Sequence, residues 1–132
     1  MRPGQPGHAA KNGFEPRPGE RVINKHVNSA FIGTDLQVWL EAAGIAHMTI
    51  FGMTTDQCVS TTVRMASNLG FRTTLVEDAC ACFDQITRGG NRLEADLIHE
   101  VHVTTLLTEF AAVVGADELV GILAAQPEAA SR

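Results

Sequence analysis

Short apolar runs alternate with helix-forming segments along most of this chain, and this alternation constrains its fold more than any other feature. The predicted strands cover residues 21–25, 47–51, 72–76 and 109–114. The predicted helices cover residues 34–43, 55–69, 93–107 and 116–124. Such an order is typical of an α/β fold with a mainly parallel sheet flanked by helices. In an open parallel sheet, reactive groups collect at the carboxyl ends of the strands.

The second predicted strand leads into a turn suited to cysteine chemistry. The apolar run 48–51 stops at Gly52, passes through small polar residues and enters a helix with Cys58 in its first turn. A thiol there faces the positive end of the helix dipole and free backbone N–H groups, which favour a thiolate and stabilise an oxyanion. A cysteine at a helix start is also commonly a small buried hydrophobic residue. Position alone leaves both roles open.

Individual residues indicate where the predicted helices begin and end. Thr34 and Gln37 have capping-box spacing at the first helix, which Gly44 ends. Thr55 is placed to cap the second helix. Residues 84–92, which contain two adjacent glycines, are predicted to form a mobile loop.

Length and composition bound the class of protein. The 132 residues allow a single domain, with a loop rich in Pro and Gly over 1–20, an α/β body over 21–125 and a frayed tail over 126–132. An apolar content of 45% and a charged content of 19% are typical of soluble globular proteins. The net charge of −5 gives no electrostatic reason to expect nucleic acid as a partner. No apolar run approaches the roughly 20 residues that cross a bilayer, so no membrane partner is expected.

The cysteines and histidines argue against several other classes of site. Three cysteines without a disulfide pattern, behind an N-terminus that lacks an apolar signal core, indicate the cytoplasm. No CxxC or HExxH spacing is present, and His99 with His102 makes only a pair of possible ligands, for which a structural role is favoured. We therefore expect no metal and no cofactor. The turn from Gly52 to Cys58 also lacks the G-x-G-x-x-G pattern of dinucleotide-binding modules.

Three segments, in this order and at this spacing, resemble the isochorismatase-like cysteine hydrolases over roughly residues 16–83. The first, over 16–36, contains a K…SAFxGTxL pattern that begins at Lys25. The second, over 52–66, has the pattern GxxTxxCVxxTxRxA around Cys58, and the third, over 70–80, has GFxxxxVxDA. The resemblance implies the Rossmann-like fold of that family and hydrolysis of a small amide or related carbonyl compound by a Cys, Lys and Asp triad.

Carried over position by position, the resemblance assigns the catalytic groups. Cys58 matches the nucleophile and Lys25 matches the lysine of the triad. The bond between Met53 and Thr54 matches a peptide bond that is cis in relatives. The backbone N–H groups of Thr54 and Cys58 would then form the oxyanion hole.

Other residues near the predicted site could have either a functional or a structural role. Phe31, Gln57 and Met53 are candidates to line the substrate pocket, although core packing is an equal alternative for Phe31. Asp56 is expected to stabilise the helix dipole. Asp78, at the end of the third predicted strand, is expected to cap the following turn rather than to act in catalysis.

One part of the family's pattern is missing. The aspartate of the triad lies upstream of the lysine in that family, and no aspartate precedes Asp35 here. We therefore expect a truncated domain that lacks the family's first strands. Two functions stay open: a hydrolase of a small-molecule substrate that forms a homo-oligomer, or a catalytically inactive homologue that acts as a structural or subunit-interaction partner.

Overall fold

A computed structural model describes residues 12–125 of the chain. The elements follow in the order α1 (Leu36–Ala42), β1 (His47–Met53), a π-helical turn (Thr55–Val59), α2 (Ser60–Asn68), β2 (Arg72–Ala81), β3 (Gln85–Ile86), β4 (Arg92–Leu93), α3 (Ala95–Glu109), β5 (Ala112–Val114) and α4 (Ala116–Ala125). The predicted tail and most of the predicted N-terminal loop lie outside the described residues. No helix within 12–125 has the length and apolar character needed to cross a membrane.

Three parallel strands form the main sheet, which confirms the predicted fold class. Their order is β1-β2-β5, so β2 lies in the centre with a neighbour on each side. Leu75 and Val76 in the middle of β2 are buried, as expected for successive residues that point to opposite, covered faces of a parallel sheet. The β1–β2 register begins with His47 opposite Arg72 and shifts between Ile50 and Gly52.

Two hydrophobic clusters form the core, and α2 contributes to both. The first cluster joins α1 to the start of β2 and contains Phe31, Leu36, Leu40, Ala66 and Phe71. The second joins α2, β2 and α3 and contains Val59, Val63, Leu75, Val103 and Leu106. Because α2 supplies Ala66 to one cluster and Val63 to the other, the helix is held from both sides.

The predicted first strand, over residues 21–25, is wrong. The segment is irregular, and in this segment only Ile23 is even half-buried. A strand needs a hydrogen-bonded neighbour, and the ladders of the described residues pair β1 with β2, β2 with β5 and β3 with β4 only. Instead, Arg21 anchors the segment: it forms an ion pair with Asp35, and its guanidinium carbon lies 5.2 Å from the centroid of the Trp39 ring.

The predicted capping box of α1 is also wrong, whereas the predicted end of α1 is confirmed. Gln37 does not reach back to the helix start, because its amide donates to Glu41 Oε1 at 2.9 Å along the helix surface. Thr34 Oγ1 donates to the carbonyl of Ala30 at 2.6 Å and lies 3.4 Å from the N–H of Leu36. Gly44 follows the helix with a φ of +68°, a left-handed conformation that glycine adopts without steric cost.

The predicted mobile loop over residues 84–92 is wrong, because most of this segment belongs to a β-hairpin. Strands β3 and β4 pair antiparallel, with Gly90 at a φ of +84° in the turn between them. Asp84 Oδ1 accepts a hydrogen bond of 2.9 Å from the N–H of Ala95 and so caps α3. Arg92 forms ion pairs with Asp84 and Glu94. The hairpin is therefore fixed to the start of α3.

Candidate active site

The chain changes direction sharply where β1 ends. Gly52 has a φ of +130°, which non-glycine residues rarely adopt. The peptide bond between Met53 and Thr54 is cis, in agreement with the resemblance. The π-helical turn Thr55–Val59 then begins directly and continues into α2.

Cys58 lies in the first turn of this continuous helix, as predicted, and is half-buried. The carbonyl of Thr54 accepts hydrogen bonds from the N–H groups of Gln57 at 3.2 Å and Val59 at 3.1 Å. The second bond spans five residues and gives the turn its π-helical character. Thr54 therefore occupies the N-cap position. The prediction that Thr55 caps the helix is wrong, because Thr55 is completely buried inside the first turn.

Lys25 contacts Cys58 although the chain around it forms no strand. The Nζ atom of Lys25 lies 3.2 Å from the Sγ atom of Cys58 and also donates to the carbonyl of Val27 at 3.0 Å. An ammonium group at this distance stabilises a negative charge on sulfur. The structure thus brings together the two side chains that the family resemblance matches to the triad.

Asn28 is a neighbour of the sulfur that the sequence reasoning missed. Its Oδ1 atom lies 3.6 Å from the Sγ atom of Cys58. The carbonyl of Asn28 accepts a hydrogen bond of 3.4 Å from the hydroxyl of Thr62, and that hydroxyl accepts one of 3.1 Å from the N–H of Ala30. Thr62 therefore ties this segment to α2. The only signal in the sequence was the position of Asn28 within the same motif as Lys25.

The candidate pocket residues separate into two groups. Phe31 is buried in the first core cluster, with its ring centroid 5.9 Å from that of Phe71. This packing corresponds to the core alternative for Phe31. Gln57 and Met53 are exposed, and both precede Cys58 in the sequence. Both remain candidates for contact with a substrate.

The two aspartates singled out from the sequence have structural partners. Asp78 Oδ1 accepts a hydrogen bond of 2.8 Å from the N–H of Ala116, so it caps α4 rather than the turn that follows it in sequence. Asp56 lies in the first turn of the helix, and its Oδ2 atom accepts a bond of 2.6 Å from the Gln85 amide. This second bond ties the π-helical turn to β3.

The other two cysteines differ from Cys58 in their surroundings. Burial raises the pKa of the Cys80 thiol above its ordinary value. Burial also raises the pKa of Cys82, and the Asp56 carboxylate acts in the same direction. Their thiols donate to backbone carbonyls, that of Cys80 to Val76 at 3.3 Å and that of Cys82 to Ala95 at 3.1 Å. Both are therefore protonated at neutral pH.

The two histidines of α3 have separate surroundings. His99 Nδ1 lies 2.9 Å from the hydroxyl oxygen of Thr55. His102 lines a groove of about 250 Å³ with Leu97 and Val101. Across residues 12–125, no three side chains of His, Cys, Asp or Glu are grouped so that they could hold a metal ion. The absence of a metal cofactor stays a prediction.

Comparison with known proteins finds clear similarity to one family. The isochorismatase domain model matches residues 1–117. The chain is 42% identical over 118 residues to the isochorismatase family protein YrdC of Bacillus subtilis, which covers 89% of this chain and 63% of that protein. It is 32% identical over 100 residues to nicotinamidase 3 of Arabidopsis thaliana, covering 76% of this chain and 45% of that protein.

A solved structure is similarly close. The crystal structure of an isochorismatase-family protein from Chromobacterium violaceum matches with a TM-score of 0.88 and 46% identity, over 93% of this chain and 64% of that one. The chain thus spans slightly less than two thirds of the length of these two close relatives. The family model, the sequence identity and the fold all agree, and the chain belongs to the isochorismatase family.

Proposed function

We propose that this chain supplies the nucleophile and the lysine of a cysteine hydrolase that cleaves a small amide or related carbonyl compound. The observation that carries the proposal is the distance of 3.2 Å between Lys25 Nζ and Cys58 Sγ. The two residues come from segments far apart in sequence, and the folded chain places a cation directly against a sulfur at the start of a helix. The name of nicotinamidase 3 supports an amide as the substrate class.

The proposed reaction begins with the Cys58 thiolate paired with the Lys25 ammonium group. The sulfur attacks the carbonyl carbon, a C–S bond forms, and the electron pair of the C=O bond moves to oxygen. The backbone N–H groups of Thr54 and Cys58 stabilise that oxygen. The tetrahedral intermediate then expels the amine, which takes a proton from the Lys25 ammonium group, and a thioester remains. Water cleaves the thioester and releases the carboxylic acid, and a proton of that water returns to Lys25, which restores the pair of thiolate and ammonium group.

Labelling of Cys58 tests the starting state of this reaction. Iodoacetamide at neutral pH is expected to alkylate Cys58 faster in the native chain than in Lys25→Ala, because the variant loses the cation that stabilises the thiolate. Intact mass and peptide mapping give the rate at each cysteine. Lys11→Ala is the matched control, since Lys11 is the only other lysine in the sequence. Equal Cys58 rates in folded native protein and Lys25→Ala would contradict the proposal.

A panel of small amides tests the turnover itself. Adduct mass on Cys58 and release of the amine are expected together, and both should disappear in Cys58→Ser. The general acid–base help of an aspartate contributes about 10²–10⁴-fold in rate. No such carboxylate contacts Cys58 or Lys25 within residues 12–125, where their side-chain hydrogen bonds involve Val27, Asn28 and each other. We therefore expect slow turnover, with the thioester detectable by mass.

A second candidate function is a structural or subunit-interaction partner. The specific observation is that β1 has a hydrogen-bonded neighbour on one side only within the described chain. No residue of β1 is fully buried, and Phe51 in its middle is 61% exposed. Parallel strands are normally covered on both faces, so this strand is suited to pairing with a second subunit. A homo-oligomer would fulfil that role.

Light scattering combined with Cys58 labelling separates the two candidates. The interaction candidate predicts association that Phe51→Glu weakens, together with a Cys58 that no amide acylates. The hydrolase candidate predicts acylation of Cys58 by at least one amide. A monomer whose mass is unaffected by Phe51→Glu would contradict the interaction candidate.

A further inference from the structure

Besides the apolar packing of Val59 in the second core cluster, one pair of polar side chains attaches the π-helical turn that carries Cys58 to α3. Thr55, three residues before Cys58, is completely buried, and its hydroxyl lies 2.9 Å from Nδ1 of His99. His99 lies in the second turn of α3, a helix that Val103 and Leu106 fix in the second core cluster. The contact therefore joins the turn to a rigid element 44 positions away in sequence.

We propose that His99 is a positioning residue that fixes the geometry of the Cys58 turn through Thr55. This inference rests on the proposed function, because it concerns the aim of the same sulfur. His99 touches the turn through the Thr55 hydroxyl and acts on Cys58 only through the backbone between them. Within the hydrolase reaction, its part is to keep the sulfur and the adjacent backbone N–H groups in one arrangement.

Hydrogen bonds that span five residues, as in this π-helical turn, are rare in proteins. They occur mostly in single turns, which are frequently found at functional sites. A buried hydroxyl must also have a partner, because leaving it unsatisfied costs free energy. The bond to His99 meets that need and orients the Thr55 side chain. Because Thr55 is β-branched, an oriented side chain also restricts the backbone of the turn.

Other side chains of the turn are held by different contacts. Lys25 and Asn28 approach the sulfur itself, whereas Gln85 holds Asp56 from the hairpin. Those partners lie on exposed segments. His99 is half-buried and belongs to a long helix, so it is held more firmly than these exposed partners. Its ring also lines a groove of about 310 Å³ with Glu77 and Glu100, so a smaller side chain there does not empty the core.

Four variants in the full chain test the proposal. Thr55→Val and His99→Ala each remove the bond, and each is expected to slow alkylation of Cys58 by iodoacetamide about tenfold or more, since small misplacements of reacting groups have large effects on rate. Thr55→Ser and His99→Asn keep a partner at the same position and are expected to restore the rate. The double variant Thr55→Val/His99→Ala should be no slower than either single variant, because both remove one shared contact.

A second Thr–His pair in the same fold provides the matched control. His47 Nε2 lies 2.8 Å from the hydroxyl of Thr74, across the first part of the β1–β2 ladder. Thr74→Val and His47→Ala are expected to lower the unfolding temperature while the Cys58 rate stays at the native value. If the Cys58 rate instead follows the unfolding temperature across both sets of variants, His99 has only a structural role and the proposal is wrong.

Hydrogen exchange of the turn separates this inference from the proposed function. Peptides that cover residues 53–59 are expected to exchange faster in Thr55→Val and His99→Ala, and at the native rate in the Thr74→Val control. That measurement decides the positioning role even if native Cys58 proves unreactive. If Lys25→Ala slows alkylation but Thr55→Val changes neither the rate nor the exchange, the proposed function stands and the His99 proposal fails.

Discussion

The ammonium group of Lys25 reaches the sulfur of Cys58 from a segment without regular secondary structure. The segment is held at one end by Arg21, which pairs with Asp35, and at the other by hydrogen bonds to Thr62 of α2. These two attachments take the place of the sheet hydrogen bonds that a strand would have. The lysine is therefore placed by a few side-chain contacts, and each can be tested.

The attachment to α2 is expected to matter both for the fold and for Cys58. Thr62→Val removes both hydrogen bonds of the hydroxyl while keeping the shape of the side chain, and should cost about 1–3 kcal/mol in unfolding free energy. Freed from α2, the lysine segment should move, so alkylation of Cys58 should slow as well. Urea unfolding and peptide mapping measure the two effects. Thr62→Ser is the control and should restore both, and an unchanged Cys58 rate in folded Thr62→Val would show that this attachment does not place Lys25.

The Arg21 attachment is expected to be weak. The Arg21 side chain is 36% exposed and that of Asp35 is 65% exposed, and ion pairs so accessible to water contribute about 1 kcal/mol or less. The stacking of Arg21 on Trp39 adds a further contact. Arg21→Ala should therefore lower the unfolding free energy slightly, and Asp35→Asn should lower it less because the stacking remains. A much larger loss in Asp35→Asn would show that the ion pair dominates.

The labelling rates of the three cysteines should depend differently on pH. Folding raises the pKa of Cys80 and Cys82, so at any pH below that value less of each thiol is ionised than in the unfolded chain. Iodoacetamide near neutral pH should therefore label Cys58 first, and labelling of the other two should rise only above about pH 9. Peptide mapping follows each site. In urea the three should react at similar rates, and early labelling of Cys80 in folded protein would contradict the prediction.

The same shifts have a consequence for stability. The folded chain holds the Cys80 and Cys82 protons more tightly than the unfolded chain does. Their contribution is therefore complete below the pKa of the unfolded chain and is lost as the pH rises beyond it. Urea unfolding at a series of alkaline pH values should show this loss, and a double variant with alanine at both positions should show a flatter profile.

Two adjacent leucines of α3 give a direct test of the core. Leu106 is completely buried in the second cluster, whereas Leu107 is 57% exposed. Leu106→Ala should lower the unfolding free energy by about 2–5 kcal/mol, and Leu107→Ala should change it by about 0.5 kcal/mol or less. Urea titration of both variants checks the difference. Similar losses in the two would mean that Leu107 is buried in solution, for example against a second subunit.

The sequence predicted well those parts of the fold that depend on local pattern. The run from β1 through Cys58 to the end of α2 follows from an apolar strand, a glycine and one amphipathic helix, all within a continuous segment. Gly44 ends α1 because the chain needs a positive φ there, and that need is visible in the residue type. Resemblance to a family added the pairing of Lys25 with Cys58, which no local pattern contains.

The wrong or missed predictions concern contacts between distant segments, or strands too short to show an alternating pattern of apolar residues. Residues 21–25 have the composition of a strand, but a strand exists only where a neighbour completes its hydrogen bonds. Strands β3 and β4 have two residues each, so alternation could not reveal them. The partners Asn28 and His99 approach the Cys58 turn through tertiary packing, and neither carries a signal of that contact in its local sequence.

The helix α2 packs against both hydrophobic clusters, and this affects how the chain unfolds. Because α2 cannot separate from one cluster without moving against the other, the two clusters should unfold together. The fluorescence of the single tryptophan, Trp39, reports on α1, whereas the alkylation rate of Cys58 reports on the turn that leads into α2. On heating, both signals should change at the same temperature. The arrangement around Cys58 would then last for as long as the whole fold does.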